Sequence, residues 1–126
     1  MRITRIYSGA DGESHFEEIE VAFALNVGHG VRTPLLPADS ISLHDSSEHF
    51  EVDFHPAPRR QFVINIAGRA EMECGDGTKR EFGPGDMFFA DDTTGRGHIA
   101  RTLEVPRRSV VVPVPDDFDF DNLRSP

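Results

Sequence analysis

The stretch from Phe62 to Ala90 reads FVINIAGRAEMECGDGTKREFGPGDMFFA, and it predicts a series of short strands joined by tight turns. Its first segment, Phe62–Ile66, is nearly all apolar and β-branched, as expected for a central strand that is covered on both sides. The GDG sequence at 75–77 is a strong signal for a hairpin turn, and GPGD at 83–86 indicates a second tight turn. The apolar segment at 87–90 then predicts the next strand.

Short segments in which apolar and polar residues alternate continue on both sides of this stretch. In residues 48–55, Phe50, Val52 and Phe54 share one face and the polar residues share the other, which indicates a strand with one buried face. Further strands are expected at 2–7, 16–24, 41–44, 98–103 and 109–114. Strands at these spacings, separated by Gly and Pro turns, predict an antiparallel sandwich or barrel.

Three smaller features complete the local predictions. Pro113 lacks a backbone N–H, so it is expected at a sheet edge or at the end of a strand. The acidic segment after Asp116 contains interleaved apolar residues and is expected to form a short packed turn or helix. Cys74 alternates with Ala70 and Met72, which predicts a small buried core residue and not a nucleophile.

Length and charge exclude several classes of protein. The chain has 126 residues with a formal net charge of −9, 11 glycines, 9 prolines and one cysteine. This length predicts one domain, and the negative charge argues against nucleic acid and anionic lipid as partners. No segment approaches the roughly 20 apolar residues of a membrane span, and Met1–Ile6 lacks the apolar run of a signal peptide. We therefore expect a cytoplasmic protein without an internal disulfide.

Between His55 and His98 the order of features resembles the cupin superfamily. The first cupin motif has two histidines, a glutamate and a closing glycine, and the corresponding positions here are His55, Ala57, Gln61 and Gly68. The second motif has a glycine, a proline, a histidine and an asparagine. Here Thr93 stands at the proline position, Gly95 at the glycine that follows the proline, His98 at the histidine and Thr102 at the asparagine. The loop before His98 is two residues longer than usual.

The resemblance implies an all-β fold of the cupin type, an antiparallel double-stranded β-helix or jelly-roll barrel. A single domain is then expected over 1–126, with the barrel core at about 41–114. The N-terminal strands would lie within 1–25, and the acidic C-terminal segment would occupy 115–126. A homodimer in which N-terminal strands or edge strands pair between subunits is also expected, because open sheet edges are often covered in this way.

In cupins, three histidines and one carboxylate hold a divalent metal. The resemblance therefore implies His55, Gln61 and His98 as metal ligands here, for Zn²⁺, Fe²⁺ or Ni²⁺, with a carboxylate needed to strengthen the set. The candidate carboxylates are Glu51, Asp53, Asp91 and Asp92. A metal-free site is an equally open alternative.

Without a metal, His55 and His98 are predicted to act as catalytic acid and base, because imidazole gains and loses a proton near neutral pH. Gln61 and Asn65 share one face of their strand and are candidates for orienting a bound carbonyl or carboxylate. Arg96 is a candidate for binding an anionic substrate, although a solvated loop charge is the alternative interpretation. The other predicted substrate-binding residue, Asp92, is also placed to orient His98 through a hydrogen bond.

Three functions remain open from the sequence. The leading hypothesis is a small enzyme acting on a polar or carboxylated metabolite with His55 and His98. The second is a non-catalytic barrel that binds or senses a small molecule in the same cavity. The third is a structural barrel that acts through protein contacts, with its cavity filled by its own side chains. The loop at 91–97 has the small residues that a mobile lid tolerates.

Overall fold

The structure is a computed structural model that describes residues 1–125, and β-strands dominate it. The strands are β1 (Arg2–Ser8), β2 (Ser14–Glu20), β3 (Leu25–Asn26), β4 (Val31–Arg32), β5 (Ser42–Ser46), β6 (Glu51–His55), β7 (Gln61–Cys74), β8 (Lys79–Phe82), β9 (Met87–Asp91) and β10 (His98–Pro113). A single-turn 3₁₀ helix follows at Phe120–Leu123. Pro126, the last residue of the predicted segment 115–126, lies outside the described residues.

Eight of the strands form one large sheet with the path β2-β1-β9-β7-β10-β5, while β6 pairs with β10 and β8 pairs with β7. The strands β3 and β4 form a separate small hairpin. The prediction of a purely antiparallel sheet is wrong, because β1 and β9 pair in parallel. A parallel pair needs a long crossover, and most of the chain lies between these two strands. The sheet does not close into a barrel, since β2 and β5 end its path, and the jelly roll is not confirmed.

The predicted central strand is confirmed. β7 pairs with β9 and β10 on either side of its first half, and its second half forms the predicted hairpin with β8. The two strands predicted at 98–103 and 109–114 are one strand, β10, whose register with β7 is irregular between Thr102 and Ser109. The polar residues in this irregular part interrupt the alternation and made one strand look like two. Pro113 lies at the end of β10, as predicted.

The prediction of a buried apolar face for residues 48–55 is wrong. Val52 is 40% exposed, and Phe50 and Phe54 are only half-buried. β6 pairs with a single strand, β10, so its apolar side chains lie at the margin of the sheet.

Two apolar clusters pack on opposite faces of the sheet. The outer core consists of Ile3, Ile19, Val21, Phe62, Phe89, Val114, Phe118, Phe120 and Leu123. The inner core consists of Ile6, Ala57, Val63, Ala70, Met72, Cys74, Phe82, Phe88 and Ala90. The C-terminal segment therefore covers the outer face, which confirms the predicted packed turn or helix.

The inner-core residues of β7 change their alternation at Gly68. Val63 and Met72 lie in different halves of this strand, yet both belong to the inner core. Gly68 lies between them with φ at +74°, and a Cβ there would meet the backbone oxygens of Glu104 and Pro106 at 2.5 Å. Only glycine fits such a close approach without strain. Gly68 therefore marks the point in β7 at which the inner-core residues shift from odd to even positions.

Across residues 1–125, no helix combines the length and apolar character needed to cross a membrane.

Candidate functional site

His55 and His98 lie side by side at one end of the inner face. β6 and β10 pair antiparallel with His55 opposite His98, and Cys74 of β7 is opposite His98 on the other side. The two imidazole rings have centroids 4.8 Å apart and planes inclined at 51°. The structure therefore brings together the two histidines that the cupin resemblance selected, although they are more than 40 residues apart in the chain.

Gly97 allows this close approach. Its φ is +77°, and a Cβ at this position would overlap the backbone carbonyl of His55. The chain before His98 can lie against the end of β6 only because this residue has no side chain.

Asp92 holds the His98 ring in a fixed orientation. Its Oδ2 lies 2.6 Å from His98 Nδ1, with Asp92 fully buried and His98 only 6% exposed. A carboxylate accepts hydrogen bonds, so Nδ1 carries the proton and donates it. In the neutral ring, Nε2 then has a free lone pair that can accept a proton or bind a ligand.

His55 is held in the same tautomer by its own backbone. Its Nδ1 lies 2.8 Å from the carbonyl oxygen of Asp53, which can only accept a hydrogen bond. Nδ1 is therefore the donor, and in the neutral ring Nε2 is left as the acceptor. Two neighbouring imidazoles thus have Nε2 atoms that make no hydrogen bond within residues 1–125.

Two buried oxygen atoms, one of them on the aspartate that binds His98, have no hydrogen-bond partner in the described chain. They are Asp92 Oδ1 and Gln61 Oε1. Gln61 is the register partner of Ala90, two residues before Asp92 in the chain. Buried acceptors are normally satisfied, so both oxygens are suited to accept hydrogen bonds from a bound polar molecule.

The donor set does not fit a complete metal site. Among residues 1–125, no group of three or more His, Cys, Asp or Glu side chains is placed to hold a metal ion. His55 and His98 supply two nitrogen ligands and Gln61 only a neutral amide oxygen, whereas zinc sites in proteins have at least three strong ligands. Asp92 is already engaged by His98. We therefore derive no chemical step through a metal.

The other candidate carboxylates have different partners. Asp91 accepts hydrogen bonds from Arg5 and Arg60 at 2.6 to 2.9 Å, toward the outer face. Glu51 lies 3.4 Å from the guanidinium of Arg101. Asp53 accepts a hydrogen bond from the backbone N–H of Phe54, the next residue. None of these three completes the set predicted with His55 and His98.

Asn65 and Arg96 occupy different surroundings from the histidines. Asn65 shares the inner face with Gln61, as predicted, but lies four residues further along β7, where its amide donates to the carbonyls of Gly68 and Phe82. The Arg96 guanidinium binds Glu13 at 2.8 Å and lies 3.9 Å from the centre of the Phe54 ring. Substrate binding by either residue stays a prediction.

The loop before His98 is attached to the β1–β2 hairpin. Ser8 Oγ donates to the carbonyl of Thr94 at 2.9 Å, and Ser14 Oγ donates to the carbonyl of Gly97 at 2.7 Å. The backbone N–H of Arg96 donates to the carbonyl of Gly12. These three bonds hold the loop in place, and opening of the predicted lid would have to break them.

The inner core fills the middle of the inner face. Five cavities of about 180 to 480 Å³ line other parts of the described surface, and neither His55 nor His98 lines any of these five. Ala57, at the position of the second cupin histidine, is itself a buried inner-core residue. Burial also raises the pKa of the Cys74 thiol to about 12, so Cys74 is an unreactive neighbour of His98.

Sequence reasoning missed two residues that shape this face. Gly97 was visible only as part of a flexible loop, because the approach of His55 to it cannot be read from local sequence. Arg107 lies next to a second arginine, Arg108, which is typical of a solvated surface, but it is only 7% exposed.

His15, on β2 of the β1–β2 hairpin, lies between the carboxylates of Asp11 and Asp76, and these contacts raise its pKa. Its Nε2 lies 3.1 Å from Asp11 and its Nδ1 lies 3.0 Å from Asp76, and the hydrogen bond with Asp11 is the main cause of the raised pKa. This stabilisation is complete below the unfolded pKa of about 6.5 and is lost as pH rises through the folded pKa. NMR titration of the His15 ring should show the raised pKa, and Asp11→Asn should lower it. An unchanged titration in Asp11→Asn would contradict this account.

Comparison with protein-family models and with curated protein sequences finds no match for this chain.

Proposed function

We propose that the chain is a cupin-like protein that binds a small polar metabolite beside His55 and His98, and that His98 acts on it as an acid and base. The observation that carries the proposal is the buried hydrogen bond between Asp92 and His98. A carboxylate on Nδ1 both selects the tautomer and stabilises the imidazolium that forms when Nε2 takes a proton. The fold in this proposal is an open variant of the cupin jelly roll.

The chemistry assigned to each group follows from its position. His98 Nε2 accepts a proton from the metabolite and returns it at a second position, while Asp92 orients the ring. His55 Nε2 is the neighbouring group that binds or exchanges the same proton. Gln61 Oε1 and Asp92 Oδ1 accept hydrogen bonds from hydroxyl or amine groups of the metabolite, because both oxygens are buried without partners.

The alternative is a non-catalytic barrel that binds or senses a small molecule at the same place. The packing of Ala57 in the inner core favours this alternative, because a core residue stands where the family has a metal-binding histidine. Binding of a transition metal by His55, Gln61 and His98 stays a prediction, as does the homodimer. β2 and β5 would be the edge strands available for pairing, since they end the path of the sheet.

Mass spectrometry of metabolite mixtures incubated with the protein tests the proposal. The wild type should convert at least one small polar compound, and His98→Ala should abolish the conversion. Asp92→Asn should lower it by about 10²- to 10⁴-fold, in line with the loss of an oriented base. His44→Ala, which changes an exposed histidine on β5, is the matched control and should leave conversion unchanged.

The same experiment separates the two functions. A compound that is retained by the wild type but not converted supports the binding alternative, provided that His98→Ala releases it. If no compound distinguishes the wild type from His98→Ala, neither function belongs to this site. Elemental analysis of untagged protein should accompany the metabolite experiment. Stoichiometric metal in the wild type that is lost in a His55→Ala, His98→Ala double variant would contradict the metal-free mechanism.

A further inference from the structure

A second group of polar side chains is buried further along β7 and β10 from His98. These residues are Asn65, Thr102, Arg107 and Ser109, which are between 2% and 7% exposed. On β10, Ala100 lies between His98 and Thr102 and is opposite Met72 of the inner core. None of the four belongs to the site described above, apart from the predicted role of Asn65.

The strand register places these side chains on one face. Ser109 is opposite Asn65 in the pairing of β10 with β7, and Thr102 is opposite the inner-core residue Ala70. The pairing of β10 with β5 is regular from Arg107 to Val111, so Arg107 and Ser109 point to the same side. Val111 on that side packs against the inner core. The four side chains therefore face the inside of the folded sheet.

Arg107 has no carboxylate partner among residues 1–125. The one hydrogen bond of its side chain runs from Nε to Asn65 Oδ1, at 3.3 Å. Two acidic residues near Arg107 form ion pairs with other arginines. Glu104, on the same strand, pairs with Arg69, and Asp45, on β5, pairs with Arg108. Burial lowers the pKa of Arg107. An unpaired buried cation is costly, so a counter-charge at this position would be strongly favoured.

Arg107, Thr102 and Ser109 offer hydrogen-bond donors that are suited to an anion. A guanidinium has five N–H donors, and Arg107 uses one of them within the described chain. The Thr102 hydroxyl oxygen is buried and has no partner, and the Ser109 hydroxyl lies on the same face. Asn65 is a positioning residue, because its amide group is already bound to two carbonyls and its oxygen to Arg107.

We propose that Arg107, Thr102 and Ser109 bind the carboxylate group of a small anionic ligand, with Asn65 holding the guanidinium in place. The planar guanidinium pairs with two carboxylate oxygens through parallel N–H groups, and the hydroxyls donate to the same oxygens. This site is independent of the acid–base role proposed for His98. It gives the protein a second binding function, for a carboxylate-bearing compound.

Acetate titration of the wild type and of two matched variants tests the proposal. Arg107→Met removes the buried charge, and Arg108→Met removes the charge of the next residue, whose side chain is 56% exposed. At constant ionic strength, the Tm of the wild type and of Arg108→Met should rise with acetate concentration, as expected for binding to the folded state. The Tm of Arg107→Met should not respond. An equal response in Arg107→Met, or a larger response of the wild type to sulfate, would overturn the carboxylate assignment.

A direct measurement keeps the test valid if Arg107→Met does not fold. Saturation-transfer NMR with ¹³C-acetate should detect binding to the wild type, and Thr102→Val should weaken that binding by about tenfold, the effect of one lost charge-assisted hydrogen bond. Absence of transfer to the wild type would overturn the proposal. His98→Ala should bind acetate as the wild type does, so failure of the carboxylate site and failure of the acid–base site are distinguishable.

Discussion

Replacing Gly97 with alanine is expected to lower the free energy of unfolding by about 3 to 4 kcal/mol and to displace His98 from His55. The new Cβ would overlap the backbone carbonyl of His55, and φ at this residue is +77°. A backbone carbonyl in a paired strand cannot rotate away as a flexible side chain does. The two strands must therefore separate locally, and the imidazole contact at 4.8 Å is lost.

Gly77→Ala is the matched control for this substitution. Gly77 also has a positive φ, of +89°, but no atom lies within 4 Å of the position of its added Cβ. Gly77→Ala should lower the free energy of unfolding by only about 1 to 2 kcal/mol, the cost of a positive φ for a residue with a Cβ. Urea unfolding measures both losses, and the ring resonances of His55 and His98 report the displacement. Equal losses for the two variants, with unchanged His98 resonances, would show that the close approach of His55 is unimportant.

The strands were predictable where the pattern of residues is set by local packing. Phe62–Ile66 is nearly all apolar because the start of β7 packs on both sides, with Phe62 in the outer core and Val63 in the inner core, although Ile66 is 54% exposed. The glycine turns at 75–77 and 83–86 fix the hairpin geometry. The parallel pairing of β1 with β9 was not predictable, because it joins segments about 80 residues apart and neither sequence carries a signal for direction. The open sheet was not predictable for the same reason. Whether a sheet closes depends on which distant strands pair, and the local sequence does not show this.

The histidine pair was predictable only through the cupin resemblance, which selected His55 and His98 by their motif positions. The hydrogen bond from His98 to Asp92 was anticipated from its place in the loop before His98. The partners of Asp91 were not anticipated. The alternation of apolar and polar residues does not show that this carboxylate binds Arg5 and Arg60. The burial of Arg107 could not be predicted either, since an arginine next to another arginine usually indicates a solvated surface.

Replacing Phe89 with alanine is expected to lower the free energy of unfolding by about 3 to 5 kcal/mol. Phe89 is fully buried, and its ring lies 4.8 Å from the rings of both Phe62 and Phe120 and 5.6 Å from that of Phe118. Removal of the ring leaves a cavity between the sheet and the C-terminal segment, in the middle of the outer core. The segment then loses the contact that holds it on the sheet.

Phe89→Leu keeps part of the apolar volume and should cost clearly less, whereas Leu35→Ala, at a residue 90% exposed, should change stability by less than about 0.5 kcal/mol. Urea unfolding gives the three values, and hydrogen exchange of residues 118–123 shows whether the segment detaches. Because Phe89 and His98 lie on opposite faces of the sheet, Phe89→Leu should leave the His98 ring resonances unchanged. A loss below about 1 kcal/mol for Phe89→Ala would mean that the outer core does not anchor the C-terminal segment.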